Sequence, residues 1–141
     1  MKKIFITGAN GFLGRHLVKL NDLEGAIAFN QPDVVIHLAA ICGGIGANKK
    51  SPADFFMRNS LMSLNVLSTC NLFKVKKLIT LGSVCSYPKF TPVPFKEDNI
   101  WDGYPEETNA PYGIAKKNLL VGCQAYHNQY GDNFIHLIPV N

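Results

Sequence analysis

A short apolar run followed at once by three spaced glycines limits what the start of this chain can fold into. Residues 3–7 are mostly β-branched or aromatic, and Gly8, Gly11 and Gly14 follow them before a helical-looking stretch from Arg15. Between a strand and a helix, such glycines permit a tight turn, close approach of a pyrophosphate, and close helix–strand packing. The N-terminus of the helix adds N–H groups and the positive end of a dipole. The pattern predicts a dinucleotide-binding turn.

The rest of the chain alternates between continuous apolar runs and longer segments with helical spacing. Continuous apolar runs are typical of parallel strands that are buried on both faces. We predict an α/β fold, a Rossmann-like doubly wound parallel sheet truncated to about four strands flanked by helices, in one domain covering residues 1–141. The predicted strands are 3–7, 33–40, 78–81 and 134–139, and the predicted helices are 20–29, 52–73 and 112–130.

One expected element is missing from the pattern. After its first helix, a dinucleotide fold normally forms a second strand whose end reads the adenosine ribose. Here residues 20–29 continue as helix, and Asp33, at about the right distance for the ribose carboxylate, precedes a strand. We assign Asp33 to a turn with Pro32. Without a second strand, Ile4–Thr7 is expected on a sheet edge, with apolar side chains exposed.

Polar residues with possible chemistry follow the predicted strands. Ser83 closes the strand at 78–81, and a glycine-rich stretch at 42–48, expected as a flexible turn, follows the strand at 33–40. Tyr112 and Lys116 are four residues apart and share one helix face. A cation beside a phenol favours the phenolate and lowers the tyrosine pKa towards neutrality. Each residue alone is more often structural, but together they indicate a ligand site at the carboxyl edge of the sheet.

Composition narrows the classes of function. The formal net charge of +4 comes from scattered lysines without an aromatic-interleaved stripe, which favours an anionic small molecule over nucleic acid. No apolar run approaches the ~20 residues of a membrane span, so we expect a cytoplasmic protein without a membrane partner. Cysteines and histidines are isolated in sequence, and we predict reduced thiols and no metal site. These residues are Cys42, Cys70, Cys85, Cys123, His16, His37, His127 and His136.

Several longer motifs occur together and in a particular order. They are Thr7-Gly8-x-x-Gly11-x-x-Gly14, His37-Leu38-Ala39-Ala40, Gly43-Gly44-Ile45-x-Ala47-Asn48, Pro52-Ala53-Asp54-Phe55, Gly82-Ser83-x-Cys85-x-Tyr87-Pro88-Lys89, Glu107-Thr108-Asn109-x-Pro111-Tyr112 and Tyr112-x-x-x-Lys116. In this order they resemble the extended short-chain dehydrogenases/reductases and, more narrowly, the GDP-L-fucose synthase family. The similarity extends over nearly the whole chain.

The resemblance implies an NADP(H)-dependent enzyme that epimerises GDP-4-keto-6-deoxymannose at C3 and C5 and then reduces C4. Tyr112 would be the general acid that protonates the C4 oxygen, and Lys116 would lower the tyrosine pKa and hold the nicotinamide ribose. Ser83 would hydrogen-bond the reacting oxygen, and Cys85 would be the acid/base of the epimerisation. A thiol suits that role because its ordinary pKa is close to neutrality.

The resemblance also implies the cofactor contacts and partners. Cofactor-binding residues would be Gly8, Asn10, Gly11, Phe12, Leu13, Gly14, Leu38, Ala39, Ala40, Tyr112 and Lys116, for NADP with NAD not excluded. The substrate would be a nucleotide sugar, and two long helices would form a homodimer. The family's C-terminal substrate domain is absent from these residues, together with the histidine that partners the cysteine. We therefore expect this short N-terminal form to be inactive by itself. Two alternatives are another NAD(P)-dependent nucleotide-sugar epimerase/dehydratase and a non-catalytic dinucleotide-binding or assembly module.

Overall fold

Four parallel strands form one sheet in the computed structural model, which describes residues 2–8 and 20–139. The strands are β1 (Ile4–Thr7), β2 (Val34–His37), β3 (Lys77–Leu81) and β4 (Phe134–Leu137), and they lie side by side in chain order. The helices are α1 (Leu20–Asn30), α2 (Ile45–Lys50), α3 (Pro52–Leu72) and α4 (Ala110–Tyr130), with short 3-10 helices at Val84–Ser86 and Glu97–Trp101. The predicted Rossmann-like α/β fold with four parallel strands is confirmed.

The core lies between the sheet and α1, α3 and α4. The strand register places Phe5, Val35, Leu78 and Phe134 in one row across the sheet. This row packs with buried residues from the three helices, which are Leu23, Ile27, Met62, Val66, Leu67, Cys70, Leu119 and Cys123. Because side chains alternate along a strand, a second isoleucine row (Ile6, Ile36, Ile79 and Ile135) faces the opposite side.

The first strand lies at an edge of the sheet, as predicted. Within the described residues β1 pairs with β2 alone, and Ile4 and Ile6 are 60% and 42% exposed. In the common dinucleotide-binding order, strands 2 and 3 lie beyond strand 1, and strand 4 lies on its other side. The direct pairing of β1 with β2 is therefore the arrangement expected when the second and third strands are absent.

Local residues explain where the long helices begin and end. Pro52 and Pro111 lie in the first turns of α3 and α4, where the missing N–H costs nothing. Gly131 ends α4 with a φ of +73°, a left-handed conformation that glycine adopts without strain. Asp33 accepts a hydrogen bond from the Lys3 backbone N–H and pairs with Lys76, which confirms its assignment to a turn.

Several predicted boundaries differ from the structure. The expected flexible turn at 42–48 contains the start of α2. The strand predicted at 33–40 ends at His37, the last strand ends at Leu137 rather than Pro139, and α4 begins at Ala110, before Tyr112. In the described part of the chain, no helix is long and apolar enough to cross a membrane.

Candidate active site

The predicted catalytic residues meet at the carboxyl edge of the sheet. Ser83 and Cys85 lie in the segment that leaves β3, and Tyr112 and Lys116 lie in the first two turns of α4. Parallel strands all end at the same edge, so residues far apart in sequence converge there. Both segments can be placed together because α4 packs on the 3-10 helix that follows β3.

A glycine makes this packing close. A Cβ added at Gly113 would lie only 2.1 Å from the carbonyl oxygen of Cys85, so a larger residue does not fit there. The Ser86 hydroxyl donates to the Gly113 carbonyl over 3.0 Å and fixes the same contact. The first turns of α4 are thereby fixed against the segment that carries Ser83 and Cys85.

Ser83 has a structural role as well as a possible chemical one. Its side-chain oxygen accepts the Cys85 backbone N–H over 3.2 Å and caps the 3-10 helix. The residue is half-buried, and its hydroxyl proton is not used in this bond. Ser83 can therefore still donate to an oxygen of a ligand.

Tyr112 has its hydroxyl in a partly buried setting. The phenolic oxygen lies 3.5 Å from Sγ of Cys42, which is in the loop after β2. Burial first, and then the Cys42 thiol and the nearby Cys85, raise the tyrosine pKa above its ordinary value, while Ser83 acts in the opposite direction. At neutral pH the phenol is protonated and is suited to donate a proton.

Lys116 is buried and its ammonium points to the backbone. It is 5% exposed and donates to the Leu81 carbonyl over 3.0 Å, with its Nζ 5.9 Å from the centre of the Tyr112 ring. Burial lowers the lysine pKa. The expected lowering of the tyrosine pKa by this cation is not found here, because desolvation of the phenol dominates and the cation is held by β3.

A row of alternating threonine and histidine side chains crosses the sheet near the carboxyl ends of the strands. The register aligns Thr7, His37, Thr80 and His136 across all four strands. Each histidine Nδ1 lies 2.8 Å from a threonine hydroxyl, in the pairs Thr7–His37 and Thr80–His136. Burial, and secondarily the Lys116 charge, lower the pKa of His37 to about 3 and that of His136 to about 4. The histidines are thus neutral structural residues, as expected.

The described residues fit a dinucleotide at the edge between β1 and β2. Gly8 has a φ of +79°, and a Cβ there would lie 2.6 Å from the Ala39 nitrogen, so the two backbones meet closely only with glycine. Leu38 is 40% exposed and Ala40 is half-buried. The other predicted cofactor residues, Asn10, Gly11, Phe12, Leu13 and Gly14, lie outside the described residues. Among residues 2–8 and 20–139, no histidine, cysteine and carboxylate cluster could hold a metal ion.

The prediction did not include Cys42 or the two asparagines that hold its loop. Asn59 accepts the Ile41 N–H over 2.9 Å and donates to the Ile41 carbonyl over 3.0 Å. Asn48 donates to the carbonyls of Gly43 and Gly44. The position of Cys42 just after a buried strand was the one sequence signal that could have identified it.

Comparison with known proteins gives a consistent set of similarities. The family model described as the NAD dependent epimerase/dehydratase family matches residues 19–141. A GDP-L-fucose synthase of Sinorhizobium fredii is 42% identical over 89% of this chain and 40% of its own length. A probable GDP-L-fucose synthase 1 of rice is 36% identical over 99% of this chain and 49% of its own length. The NADP-bound GDP-mannoheptose C4 reductase of Campylobacter jejuni is 29% identical with a TM-score of 0.89, over 97% of this chain and 50% of that one.

The chain spans about half the length of the curated relatives it matches. The rice alignment is 162 residues long although it covers 99% of these 141 residues, so the relative has about 20 residues for which this chain has no counterpart. The family match begins at residue 19, after the glycine-rich motif. These lengths agree with the direct pairing of β1 with β2 in the part of the chain that the structure describes.

Proposed function

The chain belongs to the NAD dependent epimerase/dehydratase family, and we propose that it forms the cofactor-binding part of an NADP(H)-dependent nucleotide-sugar epimerase/reductase of GDP-L-fucose synthase type. The observation that carries the proposal is a protonated, partly buried Tyr112 beside Cys85, Ser83 and Lys116 at the carboxyl edge of the sheet. The GDP-sugar relatives support the choice of substrate. The reactions are the 3,5-epimerisation and 4-keto reduction of GDP-4-keto-6-deoxymannose.

In this proposal the phenol of Tyr112 donates its proton to the C4 oxygen of the sugar. The Ser83 hydroxyl donates to the same oxygen and orients the carbonyl. The Lys116 cation, fixed by the Leu81 carbonyl, lies below the ring and favours negative charge that develops at the phenolic oxygen. Its burial makes this effect stronger than in water.

Cys85 is proposed as the acid/base of the epimerisation. It is half-buried and lines a depression of about 390 Å³, large enough for part of a sugar nucleotide. The Lys89–Glu107 ion pair, 2.9 Å long, joins the two segments beside this depression. The depression is lined by Val84, Cys85, Tyr87, Pro88, Lys89, Phe95, Glu106 and Asn109.

The proposed cofactor is NADP, with NAD as the alternative to be tested. The closely packed segments that carry Gly8 and Ala39 would line the cofactor site, and Tyr112 and Lys116 would hold the nicotinamide ribose. When bound, the reduced nicotinamide supplies hydride to the sugar carbon. Residues 9–14 lie outside the described structure and complete this proposed set.

A second candidate function is reduction at C4 without epimerisation. It is favoured by the similarity to the GDP-mannoheptose C4 reductase of Campylobacter jejuni. The two candidates differ in the need for Cys85. A Cys85→Ser variant should lose epimerised product and keep 4-keto reduction if the first candidate is correct.

The experiment combines binding and product analysis. Calorimetric titration with NADPH and NADH measures cofactor binding, and incubation with GDP-4-keto-6-deoxymannose and NADPH is followed by separation of the products. We expect this chain to bind NADPH in preference to NADH. We expect a GDP-fucose product from the protein that also carries the proposed substrate domain, and we expect that product to be lost in Tyr112→Phe. Tyr104→Phe is a matched control, because Tyr104 is 64% exposed and outside the proposed site.

Each outcome identifies a different function. A different reduced or dehydrated sugar would favour another nucleotide-sugar enzyme of the family. Cofactor binding without any product, even with the proposed substrate domain present, would favour a non-catalytic dinucleotide-binding module. Binding of neither cofactor would contradict both enzymatic candidates.

We also propose a cytoplasmic homodimer with the substrate domain outside these 141 residues. Met57, Leu61 and Leu64 form an exposed apolar stripe on α3, and Val121 is exposed on the neighbouring α4. Sedimentation analysis should give a dimer, and Leu64→Glu should shift the dimer to monomer. A monomeric unsubstituted chain at tens of micromolar would contradict the dimer.

The cytoplasmic location is supported by the four free cysteines, which fit a reducing compartment. A fluorescent fusion of the protein tests this location.

A further inference from the structure

A second thiol, that of Cys42, lies beside the proposed general acid Tyr112, and the sequence did not predict this contact. Sγ of Cys42 and the hydroxyl oxygen of Tyr112 are 3.5 Å apart, which is hydrogen-bond distance for sulfur. The two residues come from separate elements, the loop after β2 and the first turn of α4, and are 70 positions apart in sequence. The Cys42 residue is exposed, so this thiol connects the partly buried phenol with solvent.

The loop that carries Cys42 is fixed on both sides of the thiol. On one side, buried Asn59 binds the N–H and the carbonyl of Ile41. On the other side, buried Asn48 binds the carbonyls of Gly43 and Gly44. Cys42 is therefore held in place by two asparagine side chains, and its direction towards Tyr112 follows from a fixed backbone.

We propose that Cys42 is a positioning residue for Tyr112, whose thiol orients the phenolic hydroxyl and returns a proton to it after each reduction. This role rests on the proposed function of Tyr112 as general acid. It adds a residue that the resemblance did not place in the site.

The proton step balances without any further reactant. Tyr112 gives its O–H proton to the sugar oxygen and becomes a phenolate. The S–H bond of Cys42 then breaks as a new O–H bond forms at the phenolate, and the resulting thiolate takes a proton from water. The direction is downhill for ordinary groups, because a thiol is a stronger acid than a phenol.

The contact is tested by the reactivity of the Cys42 thiol, a measurement that needs neither cofactor nor turnover. The alkylation rate of the Cys42 peptide by iodoacetamide is followed by mass spectrometry at pH 7. The Tyr112 hydroxyl lies 3.5 Å from Sγ and can donate to the sulfur, so its removal in Tyr112→Phe should slow alkylation of Cys42 by about threefold or more. Tyr104→Phe should leave the rate unchanged.

A change of access acts in the opposite direction, because removal of the hydroxyl opens space beside Sγ and speeds alkylation. An unchanged or faster rate in Tyr112→Phe would overturn the proposal. Peptide-level analysis separates Cys42 from Cys85, which is the other cysteine that is not buried.

The proton return is tested by the reduction of GDP-4-keto-6-deoxymannose with NADPH. Cys42→Val should lower kcat about five- to tenfold with little change in KM, and Cys42→Ser should restore most of it, since a hydroxyl can take the place of the thiol. Equal kcat in the valine variant would overturn the proton return. These reactions use the protein together with its proposed substrate domain. An unsubstituted protein of that kind without turnover would reject the proposed function, and the alkylation rate of Cys42 would then decide the contact by itself.

Discussion

The buried histidine of β2 should make this protein sensitive to acid. His37 is 3% exposed, its Nδ1 lies 2.8 Å from the Thr7 hydroxyl, and burial lowers its pKa to about 3. In the unfolded chain the same group has a pKa near 6.5. Between these values the unfolded state binds more protons, so the free energy of unfolding falls as pH falls from 6.5 towards 3.

The size of the effect follows from the two pKa values. The whole difference corresponds to about 4 to 5 kcal/mol, since one pKa unit is about 1.4 kcal/mol. At pH 5 about 2 kcal/mol of it has already been lost, and at pH 7.5 almost none. We predict that His37→Gln, which is neutral and can still accept from Thr7, reduces the fall in stability between pH 7.5 and pH 5 by about 2 kcal/mol.

Urea unfolding at the two pH values measures this difference directly. The matched control is His127→Gln, because His127 is exposed at the end of α4. The reasoning concerns the pH dependence, so a uniform loss of stability in His37→Gln at both pH values does not affect it. A variant that keeps the full pH dependence of the unsubstituted chain would refute the assignment of His37 as a buried neutral base.

Further substitutions test how the site is held. Gly113→Ala should lower the free energy of unfolding by about 1 to 3 kcal/mol, because its Cβ would overlap the Cys85 carbonyl. As the control, Gly25→Ala in α1 has open space around its Cβ and should raise the free energy of unfolding by about 0.5 to 1 kcal/mol. Equal urea midpoints for the two variants would contradict the close packing at Gly113. Asn59→Ala should cost about 1 to 3 kcal/mol by leaving the Ile41 backbone groups unpaired, and should raise the rate of hydrogen exchange at the Ile41 amide. An unchanged exchange rate would show that the loop after β2 is ordered without the Asn59 side chain.

The elements that the sequence predicted well are those in which one local signal is sufficient. Continuous apolar runs predicted the buried strands, and Gly131 correctly marked the end of α4 at Tyr130. The glycine-rich stretch after β2 was misjudged as flexible, because its order comes from Asn48 binding the carbonyls of Gly43 and Gly44. Such side-chain to backbone bonds leave no periodic pattern in the sequence.

The sequence predicted which residues form the site, but it did not predict the direction of the tyrosine pKa shift or the contact with Cys42. Tyr112 and Lys116 do share one helix face, as their spacing predicts. The direction of the tyrosine pKa was predicted wrongly, because the spacing describes the neighbouring cation and not the burial of the phenol. The contact with Cys42 depends on how two distant segments pack, which no local pattern contains.

The proposed catalytic residues are held by elements that do not include the edge strand β1. Ser83, Cys85, Tyr112 and Lys116 are positioned by β3 and α4, and α4 packs so closely on α3 that a larger residue at Gly122 would overlap Leu67. In the common dinucleotide-binding order, strands 2 and 3 lie beyond strand 1, where the adenosine binds, whereas in residues 2–8 and 20–139 β1 pairs with β2 alone. The adenosine side and the geometry around Tyr112 therefore rest on different strands, so cofactor affinity and the arrangement of the proposed catalytic residues should vary independently in this chain.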